Sequence, residues 1–501
     1  MFRAIRNSLR LLRIVYILFR YDALEPLAAL PIPERAIKLL RFLSRGDRSA
    51  RPGQRLARAL QVMGPTFVKL GQSLATRADL LGDEISADLS ELQDRLPPFD
   101  GALARETIED ELGTDVAVLF ADFDDIPVAA GSIAQVHFAL TSYGEQVAVK
   151  ILRPGIESAI ERDLDLFSWV AGIVWRVQPA LRRFRPVETV ETFAASTRAE
   201  LDLRLEAAAA SELGANFADD PSFHVPKVDW RRTARRVVTL ERVGGIPTDE
   251  REALIVAGHN PDDVLEKSAI IFFNQVFRDG FFHADMHPGN AFIDAKGNVC
   301  PVDFGIMGRV DEQTRRVLAE ILVGFLSSDY ERVADIHFEA GYVPPHQDKY
   351  AFMQACRAIG EPILGLPLNE ISVGKLLGQL LSVTQRFQME TQPQLLLLQK
   401  TMVVAEGVGR SLNPNVNMWQ VAQPLIERWI AQNLGPQAQL RETVVSAARA
   451  ARRLPLVIER ADRVLARLER DDAPEPSSQA ALSVPSWVYL AAGVVIGWLL
   501  L

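Results

Sequence analysis

The stretch Phe281-Phe282-His283-Ala284-Asp285-Met286-His287-Pro288-Gly289-Asn290, followed by Val302-Asp303-Phe304-Gly305, constrains this chain more than any other. It sets an Asp, an Asn five residues later and a second Asp thirteen residues beyond that. In a phosphoryl-transfer site of this spacing the first Asp faces the attacking hydroxyl or water. The Asn and the second Asp hold magnesium on ATP. Mg2+ is a hard cation that takes oxygen ligands, so Asn290 and Asp303 are the right donors, and Asp285 is the candidate catalytic carboxylate. Asp-Phe-Gly alone arises by chance and His-Pro-Gly is an ordinary turn. Together, and with Lys150 upstream in Val147-Ala148-Val149-Lys150, they converge on ATP and Mg2+.

The residues before this stretch support the same chemistry. Val128 to Leu152 reads as β-type runs joined by the small-residue segment Ala129-Ala130-Gly131-Ser132, with a turn at Ser142-Tyr143-Gly144. A backbone of small residues can approach phosphates closely, and its amides make an anion nest. Lys150 on the third strand is placed to clamp those phosphates and needs a carboxylate to hold it. Glu200, Asp202 and Glu206 are the candidates, in an Ala-, Leu- and Glu-rich run without Gly or Pro that predicts one continuous helix. On such a helix Glu200 and Glu206 point apart, whereas Asp202 and Glu206 share a face. Val237 to Val243 predicts a strand entering Gly244-Gly245, a hinge in which Glu241 and Val243 would meet adenine. After Gly305 the chain passes almost directly to a helical pattern at Asp311–Leu326, with no Ala-Pro-Glu and no room for a long activation loop. A platform for protein substrates is therefore not expected. The fold class expected is α+β: a protein-kinase-like bilobal fold with an N-terminal helical extension and a C-terminal transmembrane helix.

Composition bounds the rest. At 501 residues with 48% hydrophobic content the chain can hold two or three domains. Its two cysteines, Cys300 and Cys356, exclude a disulfide scaffold and a cysteine-based zinc site. Net charge is −9, but residues 1–20 carry five Arg and no acid, and residues 441–470 carry eight Arg against four acids. Subtracting +5 and +4 from −9 leaves −18 for the remainder, so the body is acidic. An acidic body argues against nucleic acid as a partner, since a phosphate backbone needs a basic face. The basic ends read instead as segments for anionic membrane lipids.

Val484 to Leu501 is an uncharged, mostly apolar run with Trp487, Tyr489 and Trp498 near its ends. As a helix it would span roughly 27 Å, close to a bilayer core of roughly 30 Å, with aromatics at the interfaces. It predicts a tail anchor, with residues 471–483 as tether and Arg460, Arg463, Arg467 and Arg470 keeping the body cytoplasmic. The alternative is a buried C-terminal helix. Gly493 and Gly497 form a GxxxG that could pair two such helices into a homodimer. Residues 1–20 hold too many arginines for a spanning helix or a signal peptide and predict an amphipathic surface helix, with a mitochondrial transit peptide as the second reading.

In Lys69-Leu70-Gly71-Gln72, the alanine-rich loop at Ala129 to Ser132, Lys150, Arg153-Pro154-Gly155, Glu200-Leu201-Asp202, Glu206, the His-Ala-Asp run and Asp-Phe-Gly, the chain resembles the UbiB family of atypical kinase-like proteins linked to ubiquinone biosynthesis. The resemblance covers roughly residues 53–345. From spacing alone Lys69 and Gln72 would be solvated positions on an amphipathic helix. The resemblance implies that they fold over the active site to meet Glu200 and Asp202, occluding a peptide substrate, and that Glu206 partners Lys150. It also implies ATP hydrolysis, or phosphorylation of a small or lipid-like target, serving quinone synthesis, with ubiquinone-biosynthesis enzymes or polyprenyl-phenol precursors as partners. Two positions depart from the family pattern. Gly131 stands where the family has alanine, and would loosen the loop and admit positive φ. Met286 replaces a proline, from which nothing follows.

The domain plan expected is a basic membrane-surface segment at 1–52, a helical extension at 53–120, an N-lobe at 121–243 and a C-lobe at 244–440. A basic amphipathic helix at 441–470, a linker at 471–483 and the anchor at 484–501 follow. The leading function is a membrane-anchored atypical kinase or ATPase in ubiquinone biosynthesis, at the bacterial inner membrane or alternatively the mitochondrial one. The alternatives are a phosphotransferase of the aminoglycoside or choline kinase type and a nucleotide-gated lipid-binding scaffold.

Overall fold

The computed structural model describes residues 2–23, 50–75, 83–90, 92, 97–177, 185–364, 383, 386–389, 393–413 and 429. The segments 441–470, 471–483 and 484–501, with Gly493 and Gly497, lie outside the described residues. Among the described residues no helix is long and apolar enough to cross a membrane.

A five-stranded antiparallel sheet forms the N-lobe. Its order is β1 (Phe120–Phe123), β3 (Ala134–Thr141), β4 (Gln146–Leu152) and β5 (Val237–Glu241), with β2 (Ala129–Ala130) paired to β3. Side chains alternate across a strand, and β4 uses both faces. Val147, Val149 and Ile151 are buried against Ala104 and Ile108 of α2 (Gly101–Leu112) and against Phe120 and Phe123. Leu152 faces the other way into a core shared with α3 (Ile156–Val177) and α5 (Leu203–Asn216). Lys150 has the same parity as Leu152 and therefore projects toward α5. Its register partners are Val136 on β3 and Val238 on β5, so it sits mid-sheet.

The expected continuous helix through Glu200, Asp202 and Glu206 is interrupted. The helix α4 (Pro186–Glu200) ends, and α5 begins at Leu203 with Asp202 as its N-cap. Asp202 Oδ1 accepts from the Arg204 amide at 3.2 Å, and the Leu203 amide is taken by Arg235 O at 2.9 Å. A side-chain acceptor at the N-cap satisfies an amide that the helix leaves orphaned. The three acids therefore occupy two helices and a cap, which overturns the shared-face reading of Asp202 and Glu206.

In the C-lobe, α6 (Pro261–Phe273) runs into a π-helical turn at Asn274–Asp279 that closes on Gly280 at φ 64. There β7 (Phe281–His283) starts, and it pairs with β8 (Met307–Arg309). A β carbon at Gly280 would stand 2.4 Å from Val310 O, so glycine serves both the turn and the approach. Between these strands, β9 (Ala291–Ile293) and β10 (Val299–Pro301) form a hairpin that also pairs with β6 (Ile246–Pro247). The helix α7 (Glu312–Leu326) follows β8 at once, N-capped by Asp311 on the Thr314 amide at 2.7 Å. Farther along the chain lie α8 (Tyr330–Glu339), α9 (Lys349–Leu364) and α10 (Pro393–Leu412).

Ahead of the N-lobe the chain forms a helical layer of α11 (Phe2–Arg20), α12 (Pro52–Met63), α13 (Pro65–Ala75) and α14 (Asp83–Ser90). Gly64, at φ 113, and Pro65 break the chain between α12 and α13. Leu56, Ala59, Leu60, Phe67, Leu89 and Ile17 share one core, and Phe67 meets Phe167 of α3 edge-on at 5.2 Å between centroids. Three arginines expected to face lipid instead turn to α3: Arg3 and Arg6 pair with Asp165 at 2.7 Å each, and Arg10 pairs with Asp163. Asp163 also accepts from Thr66 Oγ1 at 2.8 Å, tying α11 and α13 to one carboxylate.

Candidate active site

The sheet delivers Lys150 to α5, and there it meets Glu206, with Nζ 2.8 Å from Oε1 and 2.9 Å from Oε2. The same ammonium is 3.2 Å from Asp303 Oδ1. Glu206 is 7% exposed, and its Oε1 also accepts from the Phe304 amide at 3.4 Å. Thus β4, α5 and the Asp-Phe-Gly turn converge on one ammonium. Burial pushes the Glu206 carboxyl up, the Asp303 charge adds to this, Lys150 opposes it, and the balance stands at about 6. Asp303 is held well below the carboxylate range: burial opposes this, and the Lys150 charge and the Gly305 amide at 2.9 Å overcome it. Lys150 stays protonated, because the two carboxylates outweigh its burial.

The catalytic loop is braced from beneath by His283. Its Nδ1 accepts from the Asp285 amide at 3.2 Å and its Nε2 donates to Asp303 O, so the proton sits on Nε2. Burial lowers the His283 pKa, which keeps the ring neutral. Gln275 Oε1, from the π-helical turn, accepts the His283 amide at 2.8 Å. One buried imidazole thereby joins Asp285 to Asp303. Asn290 Nδ2 donates to Asp285 O at 3.2 Å, which leaves its carbonyl oxygen as the available ligand atom. An amide oxygen from Asn290 and an ionised carboxylate from Asp303 make a donor set suited to Mg2+.

Arg153 fixes the alanine-rich loop. Its Nε and Nη2 donate to Gly131 O at 3.0 and 2.8 Å, and Nη2 also reaches Pro97 O at 2.9 Å. The Gly131 amide donates to Ala134 O at 2.8 Å, closing a tight turn beside Ala129, Ala130 and Ser132. Gly131 is not among the positive-φ glycines, so the expected loosening through left-handed backbone does not occur. At the hinge, the Glu241 amide is taken by Lys227 O at 2.7 Å and its carboxylate by His224 at 3.2 Å and the Lys227 amide at 3.2 Å. Val243 lies two residues farther along, beyond the end of β5.

Lys69 leaves solvent for Glu200, with Nζ to Oε2 at 2.5 Å and side chains 13% and 18% exposed. Asp202 does not join them: its carboxylate is bound by the Arg204 guanidinium at 2.6 and 2.8 Å. Gln72 lies one turn along α13 and is half-buried. Sequence reasoning passed over Lys400, whose Nζ is 2.9 Å from Asp285 Oδ1, and its neighbour Thr401, whose hydroxyl lies 2.9 Å from Leu397 O and 3.3 Å from Ala284 O. No motif marks either residue. His283 was inside the quoted run and could have been read as its strut.

The profile of the ABC1 atypical kinase-like domain matches residues 91–337, and that of the UbiB helical domain matches 356–417. A Marinobacter nauticus protein named "Probable protein kinase UbiB" is 44% identical over 446 residues, 86% of this chain and 80% of that one. A protein of the same name from Shewanella denitrificans is 44% identical over 82% of this chain and 75% of its own. Among solved structures, Rv3197 of Mycobacterium tuberculosis in complex with erythromycin matches with a TM-score of 0.52. It covers 78% of this chain and 97% of that one at 23% identity, which speaks for the fold. Related at this level across most of its length, the chain belongs to the UbiB family of atypical kinase-like proteins.

Proposed function

We propose that this protein binds MgATP and transfers its terminal phosphoryl group, to water or to a small lipid-like acceptor, at the bacterial inner membrane in support of ubiquinone biosynthesis. The observation that carries the chemistry is the Lys150, Glu206 and Asp303 cluster, with one ammonium 2.8 to 3.2 Å from two carboxylates. Glu206 anchors Lys150, which with the alanine-rich loop of Ala129, Ala130, Gly131 and Ser132 positions phosphates. Glu241 and Val243 mark the adenine side. Asn290 and Asp303 would hold Mg2+, which neutralises charge on the phosphates. Asp285 orients the attacking water or hydroxyl and accepts its proton.

Membrane association is supported by α11. With Arg3, Arg6 and Arg10 paired to α3, Ile5, Leu9, Leu12, Val15 and Tyr16 stand exposed along another side, with Arg13 and Arg20 also exposed. An apolar stripe edged by cations suits the interface of an anionic bilayer. The tail 484–501, pairing through Gly493 and Gly497, and presentation of polyprenyl-phenol precursors to partner enzymes complete the proposal. The bacterial relatives favour the inner membrane over the mitochondrial one. Peptide substrates are disfavoured by the Lys69–Glu200 contact.

The test is ADP release from MgATP by the full chain, in neutral and in anionic vesicles, beside Asp303→Asn. Turnover that rises with anionic lipid and is lost in the variant is the expected result. Turnover equal in wild type and variant would sink the reading.

A further inference from the structure

The last described helix, α10, lies in the UbiB helical domain, beyond the kinase-like match, yet it touches the catalytic loop. Two consecutive residues make the contact. Lys400 Nζ is 2.9 Å from Asp285 Oδ1, and the Thr401 hydroxyl, 1% exposed, shares its proton between Leu397 O at 2.9 Å in its own helix and Ala284 O at 3.3 Å in the loop. Leu398 is buried with Val276, Phe282, Ala284 and Val310, so the helix is packed onto β7 as well as bonded to the loop. Its far end is pinned: Arg251 Nε donates to Leu412 O at 2.9 Å, and Asn413 Nδ2 to Asp262 Oδ1 at 2.7 Å. The ammonium is thus carried on a fixed support rather than on a loop. Side-chain exposures of 37% for Lys400 and 25% for Asp285 place the pair at the edge of the site, partly open to solvent.

We propose that Lys400 is a positioning residue for phosphoryl transfer, aiming Asp285 at the acceptor and offsetting its charge against the incoming phosphoryl group. The inference rests on the phosphoryl-transfer reading of the site. In that step the acceptor oxygen bonds the γ-phosphorus as the bond to the β–γ bridging oxygen breaks. The electron pair leaves with ADP, and the acceptor proton passes to Asp285. A carboxylate base and a phosphoryl group repel each other as like charges. A cation fixed beside the base relieves that repulsion. Lys150 is already engaged by Glu206 and Asp303. His287 Nε2 stands 3.8 Å from Asp285 Oδ2, on the other oxygen, and carries charge only if protonated. Lys400 brings its ammonium from a domain outside the kinase-like core, which makes the docking of α10 a condition of turnover.

The experiment compares MgATP turnover, binding of a fluorescent ATP analogue and thermal midpoint for the full chain in anionic vesicles. The variants are Lys400→Met, Lys400→Arg, Lys400→Gln, Asp285→Asn and the Lys400→Met/Asp285→Asn double, with Asp303→Asn as control. Lys400→Met and Lys400→Gln are expected to lower kcat about 10- to 100-fold, with KM and analogue affinity within about threefold. Lys400→Arg is expected to recover most of the loss, and Lys400→Met to cost nothing further on Asp285→Asn. Unchanged or raised kcat in Lys400→Met overturns the inference, as does an equal loss on the Asp285→Asn background, which would mark a structural role. Wild-type turnover no higher than Asp303→Asn overturns the phosphoryl-transfer reading itself, and the inference with it.

Discussion

Lys150 Nζ lies 2.8 and 2.9 Å from the two oxygens of Glu206 and 3.2 Å from Asp303 Oδ1, so one cation answers two carboxylates. Only ionised Glu206 can share the ammonium fully with Asp303, and burial with the nearby Asp303 charge lifts its pKa to about 6. The expected outcome is kcat/KM for MgATP that rises with pH through about 6 and levels above it, since this ratio reports free-enzyme groups. Glu206→Gln should be slow and lack that limb. The sign for stability is opposite. The folded state keeps this proton longer than the unfolded chain, so the group's contribution is greatest below about 4.5 and is lost as pH rises through about 6. A pH profile beside denaturant melts at pH 5 and 7.5 checks both signs.

The Lys69–Glu200 pair joins α13 to the end of α4 with both side chains largely buried. Such pairs couple measurably in a double-mutant cycle, unlike exposed ones. Lys69→Ala and Glu200→Ala should each destabilise by about 1–3 kcal/mol, and the double variant should cost little more than either. Full additivity in urea melts would show that the contact contributes nothing to holding α13 in place. Asp202→Ala should fall outside this cycle, because its partner is Arg204.

The two-lobed fold and the face by which Lys150 leaves its strand were legible because each rests on short-range pattern; the residues alone left Glu200, Asp202 and Glu206 open as its partner, and the choice of Glu206 came from the family resemblance. Val147, Val149 and Ile151 alternate with Lys150, and alternation fixes which face the lysine leaves by. What escaped was decided by geometry that no spacing encodes. The break at Leu201-Asp202 depends on whether Asp202 caps a new helix or continues an old one, and Asp is competent for both. The pairing of Arg3, Arg6 and Arg10 with α3 needs Asp163 and Asp165, roughly 150 residues away in sequence. Lys400 is 115 residues from Asp285 and sits in a run rich in leucine and glutamine that carries no signature.

For α11, the exposed apolar stripe rather than the arginines paired to α3 should govern lipid binding. Leu9→Asp with Leu12→Asp is expected to lower vesicle co-sedimentation at least tenfold in a chain truncated at Asp471, which lacks the tail 484–501, since each large apolar side chain buried contributes about 1.5–3 kcal/mol. Arg3→Ala with Arg6→Ala should change it less than threefold, because both arginines are occupied by Asp165 at 2.7 Å. The reverse ranking would mean that these ion pairs open at a membrane.

Two glycines flank the nucleotide side of the site, and they should differ in tolerance. Gly131 keeps φ outside the left-handed region, and its carbonyl is held by Arg153 at 2.8 and 3.0 Å. Gly131→Ala adds no backbone strain there, so ATP and ADP affinities should stay within about threefold. Gly245 leads from the hinge into β6, and a β carbon on it would lie 2.2 Å from Ile293 O and 2.7 Å from Ile293 C. Those are backbone atoms of the β9–β10 hairpin, which also bears Asp294 and leads to Asp303, so they cannot yield as a side-chain tip would. Gly245→Ala must push β6 off β9 and should destabilise by about 2–4 kcal/mol, with a higher KM for MgATP. Thermal melts and nucleotide titrations of the two variants decide it. A large loss of affinity in Gly131→Ala beside a neutral Gly245→Ala would return the controlling role to the alanine-rich loop.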